Sequence, residues 1–146
     1  MALSRHKIKY YGWVADTPDQ RDHLYAAPAV NLARLPPHVD LRPQCPKVVY
    51  DQGQLGSCTA NTIGNAYRFD LLKQRKAAAF VPSRLFLYYN ERSAAGQVDK
   101  DSGSTLINGV NAMVAKGVCS ESSWPYDVAR FAIKPAASCF RDAIRY

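Results

Sequence analysis

The sequence contains no C-x-x-C pair and no cysteine–histidine spacing suited to a metal, so it predicts no structural zinc site and no metal ligands. Nothing in it implies a cofactor. No uncharged apolar run approaches the ~18–20 residues of a membrane span, which predicts a chain without one. The first twenty residues, MALSRHKIKYYGWVADTPDQ, carry basic side chains with no apolar stretch behind them. That excludes a recognisable secretory leader, and Asp16 argues against a transit peptide. Location stays open between the cytoplasm and export by a non-classical route. Internal repeats and low-complexity tracts are absent. Histidine is scarce: His6, His23 and His38 all fall within the first 38 residues.

What is present is ordinary globular material. Apolar residues make up 47% and charged residues 21% of 146, enough for one modest core. The net charge of +7 is scattered along the chain. Its densest cluster, Lys73-Gln74-Arg75-Lys76, fits the end of a helix, where cations complement the dipole. We read a solvated basic face and no nucleic-acid partner. The cysteines are Cys45, Cys58, Cys119 and Cys139. If one is a free nucleophile, at most one internal bridge forms, and the pairing of the others is open.

Residues 1–34 read as an irregular arm, with turn signals at Asp16-Thr17-Pro18-Asp19 and no sustained helical period. Leu35-Pro36-Pro37 marks a boundary, because adjacent prolines forbid a helix interior. Lys47-Val48-Val49-Tyr50 is the best candidate for a short strand, and 51–56 form a loop. A helix is expected from Ser57 or Cys58, capped by Ser57, with Ala60, Ile63, Tyr67 and Leu71 on one apolar face. A second helix follows Pro82-Ser83, with Ser83 as cap and Leu85, Tyr88 and Tyr89 as a buried stripe; ligand contact by these tyrosines is the alternative to core packing. A third runs from about Thr105, with Leu106, Val110, Met113 and Val114 on one face and Lys116-Gly117 as its stop. Trp124-Pro125-Tyr126 opens an extended aromatic segment. The sum is a helical half-domain with little sheet.

The stretch with chemical content is Gln52-Gly53-Gln54-Leu55-Gly56-Ser57-Cys58-Thr59-Ala60-Asn61. It sets a cysteine on the first turn of a helix behind a glycine-containing loop. Unpaired N–H groups at a helix start stabilise a thiolate and lower the thiol pKa. They can also receive an oxyanion when the thiolate attacks a carbonyl. Gln52 can bring its amide to the same oxyanion. Gly53 and Gly56 keep the loop slim enough for a peptide backbone to approach. The plainer alternative is that Cys58 is a small buried apolar residue.

Gln-Gly-x-x-Gly-Ser-Cys resembles the nucleophile segment of papain-like (C1 family) cysteine peptidases. Leu35-Pro36-Pro37-His38-Val39-Asp40-Leu41-Arg42 is similar to that family's mature N-terminus. Ser102-Gly103-Ser104 resembles the strip that pairs with the substrate main chain. Gly117-Val118, Glu121 and Trp124-Pro125-Tyr126 resemble a further family run. The resemblance implies an α+β, papain-like fold, of which residues 35–146 are the mainly helical left half-domain built around the nucleophile helix. It implies Cys58 as nucleophile, Gln52 as oxyanion donor, and Gly56, Ser57, Ser102, Gly103 and Ser104 at the substrate. Residues 1–34 become a short pro-segment of a zymogen or a wrapping arm.

There are departures. Leu55 stands where the family has a cysteine, and Asp101 stands at its usual partner, so both halves of that bridge are absent. Thr59 replaces a tryptophan, which looks like a bacterial branch. The catalytic His and its Asn, expected ~130–150 residues after the cysteine, would fall beyond Tyr146, together with the β-rich right half. The expected activity is peptide-bond hydrolysis on peptide or protein substrates, with the base in a complementary right half. An inactive peptide-binding or regulatory module is one alternative, and a thiol acyltransferase or amidase is another.

Overall fold

The computed structural model describes residues 11–21, 26, 28, 34–75 and 80–143. His6, His23 and Lys76 lie outside them. The described elements are a 3₁₀ turn at Arg42–Gln44, helix α1 (Cys58–Lys73), α2 (Arg84–Ala94), α3 (Leu106–Lys116), a second 3₁₀ turn at Val128–Arg130 and α4 (Ala137–Ala143). Among the described residues the only β pairing is isolated bridges, Trp13 with Ser104 and Pro82 with Ser120. The Lys47–Tyr50 strand is therefore not formed: Val48 and Val49 are solvent-exposed, with no neighbouring strand to bury them.

Helix α1 buries Thr59, Ala60, Ile63 and Gly64, with Tyr67 packed at the margin of the core, so the expected apolar face holds as far as Tyr67, while Leu71 is only half-buried. Ser57 is its N-cap residue but makes no side-chain capping bond. Its hydroxyl is instead shared with the Tyr126 hydroxyl and accepts from Asn61 Nδ2 at 3.0 Å. The helix ends at Lys73, in keeping with the basic cluster.

Helix α2 is the hub. Ser83 caps it by accepting from the Phe86 N–H at 3.2 Å. Every residue from Leu85 to Arg92 is buried, polar ones included. Arg92 is 1% exposed, and its guanidinium donates to the carbonyls of Val98 at 2.8 Å and Lys100 at 2.7 Å. A buried cation is tolerable only when so satisfied. It thereby pins the loop leading to the Ser102–Ser104 strip.

Helix α3 is capped by Thr105, which accepts from the Asn108 N–H at 3.1 Å. Its apolar stripe is largely exposed: Val110 is 46% and Val114 82% accessible. The face turned inward carries Gly109 and Ala112 instead. Small residues let α3 approach closely; a Cβ at Gly109 would meet Ile63 Cδ1 at 2.3 Å. Gly117, at φ 68°, terminates the helix as expected, its N–H bonding Met113 O at 2.8 Å. Helix α4, a helix that the composition of 137–143 did not reveal, returns over this cap and buries Cys139 and Ala143. The core gathers Leu55, Ala60, Ile63, Leu85 to Tyr88, Val118, Cys119, Trp124, Cys139 and Ala143.

Candidate active site

Cys58 opens α1 and is half-buried. Burial pushes its thiol above the ordinary cysteine range, and the negative potential of Glu91 acts the same way. The N–H groups of Thr59, of Cys58 itself and of Trp13 reach the sulfur and pull in the opposite direction. The expected helix-start effect is therefore present, but desolvation outweighs it and the net shift is upward. Among the described residues no imidazole acts on this sulfur. Among the described residues the histidine is His38, exposed in the entry segment.

The loop before α1 is held rigidly. Gln52 is buried, and its Nε2 donates to Leu55 O at 2.9 Å, which uses one of two amide hydrogens. Its backbone carbonyl accepts from the Tyr126 hydroxyl at 2.9 Å. Leu55 is 2% exposed and belongs to the core. Across from it, the Asp101 carboxylate accepts the Gly56 N–H at 3.0 and 3.1 Å and also the Tyr88 hydroxyl. Tyr88 in turn accepts the Gly103 N–H at 3.2 Å. Loop 52–57 and strip 102–104 are thus tied by a carboxylate where a disulfide would otherwise join them.

Beneath the loop, Arg84 does a similar job. Its guanidinium donates to Asp51 O at 3.2 Å, Asn61 Oδ1 at 3.1 Å and Glu121 Oε1 at 2.9 Å, and it stacks on the Tyr50 and Tyr126 rings. Glu121 also takes the Arg84 and Tyr126 N–H groups. Arg84 has no signal of its own in the sequence, and Asp101 is marked there only as the place of a missing cysteine; the bracing role of each is recognisable only once the loop is in place.

The strip is occupied by the chain itself. Val14 N–H donates to Ser104 O at 3.0 Å, and Ser104 N–H to Gly12 O at 2.9 Å, a parallel pairing. Gly12, at φ 72°, sits where a Cβ would collide with Gly56 O at 1.9 Å. Trp13 then passes over the thiol. Tyr11, Trp13, Cys58, Thr59, Thr62 and Leu106 line an apolar hollow of about 420 Å³ there. Of the site residues anticipated from sequence, Gly56, Gly103 and Ser104 meet at the arm, Gln52 and Ser57 support the loop, and Ser102 lines a smaller cavity with Gly103, Ser104 and Val14.

No protein-family profile matches the chain. An uncharacterized peptidase C1-like protein, L477 of Acanthamoeba polyphaga mimivirus, is 38% identical over 149 residues, covering 91% of this chain and 48% of that protein. Xylellain, a cysteine protease from Xylella fastidiosa, matches in structure with a TM-score of 0.85 at 38% identity, over 100% of this chain and 59% of that one. The chain is papain-like, of the C1 family. Its described residues form the helical left half of the papain fold. It spans about half the length of the curated papain-like relative it matches.

Proposed function

We propose that this chain supplies the nucleophile half of a cysteine peptidase acting on peptide or protein substrates. Cys58 Sγ attacks the scissile carbonyl. The Cys58 N–H and the second amide hydrogen of Gln52 receive the oxyanion, while Ser102-Gly103-Ser104 holds the substrate main chain. A histidine in a complementary right half protonates the leaving amine, and water then hydrolyses the acyl-enzyme. The observation that carries this reading is a half-buried sulfur on the first turn of a helix, opening on an apolar hollow, in a domain whose Ser104 already pairs with an extended main chain.

The arm within 1–34 acts in this reading as a short pro-segment. It sets Tyr11 and Trp13 around the hollow onto which the thiol opens. Among the described residues no helix is long and apolar enough to cross a membrane.

The test is peptide turnover by the full-length protein with and without Cys58→Ser. Turnover should vanish in the variant while its urea midpoint stays put. Retained cleavage would sink the assignment. Transfer to an added amine, without hydrolysis, would favour an acyltransferase. Silence in the wild type, with a peptide still bound, would favour an inactive binding module.

A further inference from the structure

Glu91 lies in the middle of α2, 0% exposed, next to the first turn of α1. Its Oε1 accepts the Thr59 hydroxyl at 2.7 Å. Its Oε2 is buried with no hydrogen-bond partner among the described residues. That oxygen faces α3, where a Cβ at Gly109 would come within 2.8 Å of it. A buried carboxyl with one orphan oxygen is costly, and an apolar residue of similar size would fill the place at less expense. What it holds is the residue immediately after the thiol, which lines the same hollow as the sulfur and whose backbone N–H favours the thiolate.

We propose that Glu91 is a positioning residue for the Cys58 thiol: its carboxyl grips the Thr59 side chain from beneath α1 and keeps the Thr59 N–H aimed at the sulfur. The inference rests on Cys58 being the nucleophile. The groups facing Glu91 fix its charge. Burial raises its pKa to about 8, while the Thr59 hydroxyl and Arg92, on its own helix, hold it lower than burial alone would. From α1 it is faced by Thr59 and, at longer range, Cys58; α3 presents uncharged Gly109. At neutral pH the carboxyl is therefore protonated and the sulfur feels the hydrogen-bonded tether without an opposing charge. Above about pH 8 the carboxylate forms and pushes the thiol higher.

The test is the pH dependence of iodoacetamide alkylation at Cys58 in the full chain, read by peptide mass, with exposed Cys45 as internal reference. Thr59→Val removes the gripped hydroxyl at nearly constant shape. It should slow Cys58 alkylation at pH 7 by threefold or more and move its midpoint upward. Glu91→Gln keeps an acceptor for Thr59 and removes the charge. It should hold the rate at pH 7 within twofold and move the midpoint downward. The Cys45 curve should not change in either variant. A Thr59→Val curve superimposed on wild type, or a Glu91→Gln curve displaced upward, overturns the proposal. Alkylation reads the thiol directly, so failure here is distinguishable from failure to cleave peptides.

Discussion

At the scale of single residues, Asp101 shows how one polar side chain can stand in for a covalent link. The family bridge at this place would join position 55 to position 101. Here Leu55 goes into the core, and Asp101 binds the backbone of the next residue, Gly56, while also taking the Tyr88 hydroxyl. Hydrogen bonds to a charged acceptor are worth ~1.5–3 kcal/mol each, and removing the acceptor leaves buried donors unpaid. Asp101→Ala should therefore cost ~3 kcal/mol of stability, and Asp101→Asn, which keeps an acceptor oxygen, about half as much. Urea unfolding of the variants checks this. An Ala variant within 0.5 kcal/mol of wild type, on that same scale, would mean the tie is idle. The joint loss of both cysteines was visible in the sequence; the carboxylate's replacement role was not, because Gly56 and Asp101 meet only in the folded loop.

At the scale of elements, the helices were legible where a capping residue and a buried period coincide. Ser83 and Thr105 cap α2 and α3, and the Ala60–Ile63–Tyr67 face of α1 packs inward. Legibility failed where tertiary contact decided the matter. Of the apolar stripe of α3, Met113 packs at the margin of the core but Leu106, Val110 and Val114 are exposed, because close packing on α1 selects Gly109 and Ala112. The 47–50 run had β-branched residues but no partner strand, and propensity alone does not make a strand. Helix α4 is short and docks on a backbone. A Cβ at Gly117 would meet Ala143 O at 2.0 Å, in a backbone conformation (φ 68°, ψ −161°) reserved almost wholly for glycine. Gly117→Ala should thus cost ~2–3 kcal/mol, combining strain with displaced packing. Denaturation midpoints and hydrogen exchange at 137–143 would report it. Unchanged protection of α4 would show that the helix docks without this contact.

At the scale of the whole molecule, the arm and the site compete for the same hydrogen bonds. Gly12 and Val14 use the Ser104 N–H and carbonyl that the proposed function assigns to the substrate main chain. The arm is held there mostly by backbone, and Gly12 is its tightest point, with the Gly56 carbonyl against its Cα. The core does not include the arm, so loosening it should leave the fold alone. Gly12→Ala adds a Cβ at 1.9 Å from a backbone oxygen, at a positive φ that alanine resists. Neither the loop nor the strip can yield, because Asp101 ties them together. The arm must therefore lift. Cys58 alkylation should rise at least tenfold, equivalent to ~1.4 kcal/mol of docking energy, with the urea midpoint unchanged. An unchanged rate would mean that the arm lies over the thiol without shielding it, and the pro-segment reading would fall while Cys58 kept its place as nucleophile.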